Sequence, residues 1–201
     1  MANFQLKGKA TCRIVYPDGL FEKRVAKGSE SEPKFNAIIL VPKDDKVKVE
    51  QILEEFNKEF EALQKDGYKG KTVRTLNPKN VCLVDGDDYA DEKDGREDFR
   101  GFYLLKFNSK FRPLVVDMQK RTITNGLYTP NVDVENISDI HLESGDYVHV
   151  NIGFWHYNKP LAQGIGCNLN ALMRVAAGEP IGSAASSNVD DYLKVDGEDY
   201  E

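Results

Sequence analysis

The sequence predicts a mainly β chain with one long helix, and three observations carry that prediction. One segment, from about residue 45 to 65, places apolar residues at helical spacing. From residue 72 onward, short alternating or apolar runs are separated by turn residues. No internal repeat is visible. Many short strands around one substantial helix suggest a small β-barrel carrying an inserted helix. The leading candidate is an OB-fold-like five-stranded barrel with a disordered acidic C-terminal tail. At 201 residues, 40% hydrophobic and 10% aromatic, the chain can bury a real core. One folded domain is expected over 1–181, with a flexible linker and acidic tail over 182–201.

The first strand is expected over residues 4–16, where Leu6, Ala10, Cys12, Ile14 and Tyr16 share one parity and Lys7, Lys9, Thr11 and Arg13 the other. Pro17-Asp18-Gly19 signals a turn, and a polar stretch over 27–33 leads to a second strand, Phe35 to Val41, closed by Pro42. Asp44 or Asp45 caps a helix to about Lys65. Its stripe of Val49, Ile52, Leu53, Phe56, Phe60 and Leu63 faces the core, and Gly67 and Gly70 end it. Val81 to Val84 is a short apolar run before an acidic stretch, 85–98, expected to be a solvated loop. Phe102 to Asn108 and Leu114 to Asp117 read as strands. Tyr147 to Tyr157 is long and alternating, and Gln163 to Leu169 can pair back to it through Asn158-Lys159-Pro160. A short helical piece around Asn170 to Ala177 follows, stopped by Gly178 with Pro180 beyond, and 182–188 is a flexible linker.

The net charge of −6 is unevenly spread. Residues 188–201 hold six acids (Asp190, Asp191, Asp196, Glu198, Asp199 and Glu201) against Lys194; residues 85–98 hold eight against Lys93 and Arg96. Elsewhere 24 basic residues face 19 acidic ones, so a mildly basic body carries a separate acidic tail. No apolar run approaches the ~18 residues of a membrane span, and the N-terminus lacks a signal-peptide core, so no membrane partner is expected. Cys12, Cys82 and Cys167 are scattered and odd in number, which suits buried hydrophobes in a reducing compartment. Enzyme signatures fail. Gly70-Lys71-Thr72 resembles the end of a phosphate-binding loop, but Lys65 stands where a glycine is needed. The Asp85-Gly86-Asp87-Asp88 run lacks the glycine and glutamate of a calcium loop, having Ala90 and Arg96 there. His141, His149 and His156 have no metal-ligand spacing. Asn136-Ile137-Ser138 is a glycosylation sequon without a secretion signal and is expected to be inert. No cofactor, metal or catalytic residue is expected.

Two strands look functional on both faces. In 147–157, Val148, Val150, Ile152 and Phe154 share the core parity, leaving His149, Asn151, Gly153, Trp155 and Tyr157 on the other. Flat aromatics stack on nucleobases, and Gly153 leaves room for one against the sheet; the alternative is that Trp155 and Tyr157 pack under a loop or in a dimer contact. In the strand from Phe102, Tyr103, Leu105 and Phe107 face one way. Phe102, Leu104, Lys106, Asn108 and Lys110 face the other, followed by Phe111 and Arg112. Basic groups interleaved with aromatics suit a groove that tracks a phosphate backbone while bases stack, and Lys7, Lys9 and Arg13 add a third basic face.

Several segments also resemble a known family. Gly101-Phe102-Tyr103-Leu104-Leu105-Lys106-Phe107-Asn108-Ser109-Lys110-Phe111-Arg112-Pro113 resembles its strand ending in a basic-Pro signature. Lys34-Phe35 with Leu40-Val41-Pro42-Lys43-Asp44-Asp45, the acidic turn Asp85-Gly86-Asp87, and the blocks Phe154-Trp155-His156-Tyr157, Gly164-Ile165-Gly166, Leu169-Asn170 and Gly178-Glu179-Pro180-Ile181-Gly182 follow in its order. The family is that of the bacteriophage single-stranded DNA-binding proteins, similar to the replication proteins of short-tailed coliphages, and the likeness runs from about residue 4 to 191. It implies an OB-fold, sequence-independent binding of single-stranded DNA in replication and recombination, and work in the cytoplasm of an infected bacterial host. It also implies a tail, Asp190, Asp191, Asp196, Glu198, Asp199, Tyr200 and Glu201, that contacts phage or host replication proteins. His149 departs from an expected arginine, Lys106 from a common asparagine, and Tyr200 from a terminal aromatic. Arg13, Lys34, Lys43, Lys106, Lys110 and Arg112 are expected to contact phosphates, Phe102, Trp155 and Tyr157 to stack bases, and His149 and Asn151 to assist. The rival expectations are an OB-like module for RNA or a protein, and a metal-dependent nuclease using the acids at 85–98; self-association is left open.

Overall fold

The computed structural model describes residues 3–25, 32–66, 75–92, 96–159 and 162–182. The elements run β1 (Asn3–Gln5), β2 (Cys12–Val15), β3 (Phe35–Pro42), α1 (Lys46–Asp66), β4 (Leu83–Asp85), α2 (Gly86–Glu92), β5 (Phe102–Ser109), β6 (Leu114–Val116), β7 (Tyr147–Lys159) and β8 (Ala162–Ala176). Strand β2 pairs with β3, β3 with β5, and β7 with both β8 and β2, all antiparallel. Strands β5 and β8 meet in parallel at Phe107 and Cys167, closing a five-stranded ring in the order β2-β3-β5-β8-β7. That connectivity, with its one parallel contact, is the OB-fold the sequence led to expect. Strand β1 extends β7, β6 lies along β8, and β4 pairs with β5.

Alternation fills the ring. Val148, Val150, Ile152 and Phe154 of β7 pack inside with Ile14, Ile39, Leu105, Phe107, Ile165, Leu169 and Leu172. Helix α1 lays its stripe on this core. Ile52 and Leu63 are buried, Phe56 and Phe60 pack against the cluster, and Phe56 meets Phe154 edge-on at 5.7 Å. Asp45 caps the helix, its Oδ1 accepting from the Lys48 amide at 3.3 Å. Leu53, expected on the stripe, is instead 37% exposed. Gly67 and Gly70 lie outside the described residues.

The first strand is broken where one piece was expected. Gln5 faces Asn151 and Cys12 faces Val148, so the chain loops out between two pairings with β7. The loop receives Lys48, which is 1% exposed and donates from Nζ to the Lys9 carbonyl and to Asp45, each at 2.7 Å. This satisfies a buried charge that the helix alone would strand.

The piece expected to be helical around Asn170 to Ala177 is the end of β8. Ile152 pairs with Leu169 while Asn151 pairs with Ala171, leaving Asn170 as a bulge. The bulge puts buried Leu169 and Leu172 three apart, a spacing that imitates a helix. The acidic stretch 85–98 is likewise not a loop throughout. Asp85 ends β4, α2 follows, and a 3-10 turn spans Glu97–Phe99. These elements cover the outer side of β2, β3 and β5, where Val15, Leu40, Phe99, Leu104 and Ile181 form a second apolar cluster with Tyr89 and Phe102 at its margin.

Candidate functional site

On the outer side of β7 and β8, Trp155 stands opposite Gly166 and Tyr157 opposite Gly164. A Cβ built on Gly166 would lie 2.5 Å from Cε2 and Cζ2 of the indole, and one on Gly164 would collide with the Tyr157 phenol. The two rings therefore lie against the backbone of β8, with centroids 5.5 Å apart and planes tilted by 46°. Both are half-buried and present their remaining surface outward. The Tyr157 hydroxyl donates to the Asn80 carbonyl at 3.3 Å, and burial raises its pKa, with the Cys82 thiol adding to the shift. Gly153, where room for a base was expected, is buried between Asn3 of β1 and Asn168 of β8, and the space over Gly164 and Gly166 is taken by the two rings themselves. From sequence the two glycines stand out only within the Gly164-Ile165-Gly166 block of the family resemblance; their alternation opposite two aromatics is the signal that ties them to the rings. Farther along β7, His149 and Asn151 line a groove of about 360 Å³ with Ala171 and Met173 of β8 and Leu114 and Val116 of β6. Asn151 accepts from Asn170 at 3.0 Å, so the bulge orients it.

Arg13, Lys43 and Phe102 come together elsewhere, in a groove of about 590 Å³ that also includes Thr11 and Tyr147. The Arg13 Nε donates to the Gly145 carbonyl at 2.6 Å and its Nη2 to the Glu179 carbonyl, which sets the guanidinium 4.8 Å from the Tyr147 ring centre. Lys43 sits between Asp85 at 2.5 Å and Asp87 at 2.6 Å. Burial alone would favour its neutral form, but hydrogen bonds to the two carboxylates outweigh that and raise its pKa. The same bonds lower the pKa of Asp85 against its own burial, and that of Asp87.

The remaining cations lie along β5 and beyond its end. Lys106 lies over the Tyr89 ring at 4.9 Å. Leu104, expected on the same open face, is fully buried under Phe99, so the outer wall of β5 is interrupted at its centre. Lys110 pairs with Glu32 at 2.5 Å. Arg112 donates to Thr129 Oγ1 at 2.9 Å and to the Phe21 carbonyl, over the ring of Phe35. Lys34 is held by backbone pairing to Arg24. The expected residues thus form three groups, an aromatic pair on β7–β8 with His149 and Asn151 farther along the same strand, a mixed group of Arg13, Lys43 and Phe102, and the cations Lys106, Lys110 and Arg112 along and beyond β5, with Lys34 set apart ahead of β3. Asp190, Asp191, Asp196, Glu198, Asp199, Tyr200 and Glu201 lie outside the described residues.

Little here suits covalent chemistry. All three cysteines are buried, and burial pushes the Cys12 and Cys82 thiols up to about 12 and that of Cys167 well above its ordinary value. Among the described residues, no group of three or more His, Cys, Asp or Glu side chains could hold a metal ion, and no helix is long and apolar enough to cross a membrane.

The family model described as Enterobacter phage Enc34, ssDNA-binding protein, matches residues 7–200. Among solved structures, the chain is similar to the single-stranded DNA-binding protein from bacteriophage Enc34 in complex with ssDNA, at 23% identity and a TM-score of 0.62, over 85% of this chain and 86% of that one. It is similar to the same phage protein in a second structure at 22% identity and 0.59, over 90% and 87%. A C-terminal truncation of that protein gives 23% and 0.59, over 85% of each chain. No curated protein sequence matches the chain.

Proposed function

The chain belongs to the Enterobacter phage Enc34 single-stranded DNA-binding family, and from that premise we propose that it binds single-stranded DNA without sequence preference. In this reading it coats and protects the strand during phage replication and recombination in the host cytoplasm. The observation that carries the proposal is the Trp155–Tyr157 pair lying over Gly166 and Gly164. Every base has a π-face, so rings fixed on an outer wall accept any sequence. Phe102 adds a third ring in the groove of Arg13 and Lys43, and His149 and Asn151 supply polar contacts. Arg13, Lys34, Lys43, Lys106, Lys110 and Arg112 take phosphates, each exchanging local partners or condensed counterions. The acidic tail contacts replication partners. The reading calls for binding alone, with no catalysis.

The protein has a single tryptophan, so its fluorescence reports the site directly. Titration with an oligo-dT at low salt is expected to quench it, and Trp155→Ala to weaken binding about 5- to 100-fold, from the ~1–3 kcal/mol that stacking contributes per base. An indole unaffected by oligo-dT at low salt overturns the proposal. Competition between matched DNA and RNA oligomers tests the choice of strand, since only RNA offers the 2′-hydroxyl.

A further inference from the structure

We propose that Phe111 and Tyr128 form a second stacking platform for nucleobases, their neighbours joined by the Arg112–Thr129 hydrogen bond; this rests on the single-strand-binding reading above and extends it to two rings that none of the expected contacts uses. Phe111 is 82% exposed and Tyr128 87%, and among the described residues no other Phe, Tyr or Trp side chain is as open to solvent. Rings so placed contribute almost nothing to the core.

Both rings are mounted on rigid supports. The Phe111 amide donates to Ser109 Oγ at 3.0 Å, and the next residue, Arg112, is fixed by Thr129 Oγ1 at 2.9 Å and by the Phe21 carbonyl. Tyr128 follows a tight turn closed by the Leu127 amide on the Thr124 carbonyl at 3.0 Å. Asn125 and Gly126 take positive φ of 49° and 78° there, and the Asn125 side chain holds both the amide and the carbonyl of Leu142, at 2.8 and 2.9 Å. The Arg112–Thr129 bond joins the two supports. Beside it opens a cleft of about 250 Å³ whose lining includes Leu114, Thr122, Arg112 and Thr129. A largely apolar lining that includes a guanidinium and a hydroxyl suits a base or sugar next to a phosphate. With the backbone held, only the ring torsions remain to be ordered on binding.

The charge nearby selects a polyanion over a second copy of the chain. Lys110 precedes Phe111, Arg112 follows it, and Lys23 and Arg112 both lie over Phe35, at 5.5 and 5.6 Å. A two-fold contact through this patch would set those cations against their own copies.

The test compares full-length wild type with the Phe111→Ala/Tyr128→Ala double variant against oligo-dT of increasing length, with sedimentation of the free proteins alongside. Both substitutions are at exposed rings, so an unchanged thermal midpoint is expected. For long oligomers the variant is expected to bind about 5- to 100-fold more weakly, as loss of at least one stacked base predicts, and to occlude fewer nucleotides, while Trp155 quenching by short oligomers persists. Equal affinity and equal site size in the two proteins overturn the platform while leaving the Trp155 reading intact. A wild type that forms dimers and a variant that does not, with equal DNA affinity, would assign the patch to self-association and overturn it too. A wild type that fails to bind oligo-dT at all defeats the parent reading, and this one with it.

Discussion

The hydrogen that serves as the side chain of Gly166 is what lets the indole of Trp155 rest on β8. A methyl there would sit 2.5 Å from two ring carbons, far inside van der Waals contact, and the ring is the part able to move. Gly166→Ala is therefore expected to turn the indole outward. Its emission should shift to the red, and affinity for oligo-dT should fall toward that of Trp155→Ala, with the rest of the barrel unchanged by circular dichroism. Unaltered emission would mean that the ring does not depend on the glycine. The thiols belong to the same scale: Cys12, Cys82 and Cys167 act as small apolar groups, and their raised pKa values follow from the desolvation that makes them useful in the core.

At the scale of elements, the end of β4 and the first turn of α2 are joined to the residue that follows β3 by the ion pairs of Lys43 with Asp85 and Asp87. The folded pKa of each aspartate lies below its ordinary 3.8, so their contribution to stability is complete above that value and is lost as pH falls through the lowered one. Lys43→Met removes the cation that lowers them. The variant is expected to be less stable at neutral pH, and its urea midpoint should depend less on pH below 3.8 than that of wild type. Equal slopes in that acid range would show that the pairs do not survive in solution. The same elements explain what the sequence could and could not tell. Helix α1 was legible because Ile52, Phe56, Phe60 and Leu63 keep one period throughout, and β7 because its alternation is unbroken from Val148 to Phe154. The first half of β8, Gln163 to Leu169, was legible as a strand that pairs back to β7, but its second half reads as a helix because the Asn170 bulge changes the period at the point where alanines favour a helix. The acidic stretch differs from a solvated loop because its eight carboxylates surround Tyr89, which packs with the following Phe99 against Leu40 and Leu104 of distant strands. The three groups of site residues could be named one by one, but their separation around the barrel is set by that cover, which no local pattern records.

For the whole molecule, charge works against its proposed ligand until its distribution is considered. Residues 188–201 hold a net −5 of the total −6, so without them the chain is nearly neutral and its barrel keeps the basic excess. Some cations are already held by carboxylates: Lys43 by two aspartates and Lys110 by Glu32. Phosphates must therefore compete for sites that the protein's own anions can occupy. A tail attached to Gly182, whose amide donates to Asp98 at 2.5 Å, starts beside the covered face of β2, β3 and β5. Its local concentration near the cations is set by the tether and not by dilution. Electrostatic competition of this kind is screened over about 10 Å at 0.1 M salt, so it should weaken steeply as salt rises. Deleting 188–201 is accordingly expected to tighten oligo-dT binding most at low salt, with the truncated and full chains converging at high salt. The plot of log affinity against log salt should be steeper for the truncated protein, because more of its cations begin the reaction with only counterions to release. If the two chains have the same affinity and slope at every salt concentration, the tail does not compete, and its charge must be assigned wholly to partner contacts or solubility.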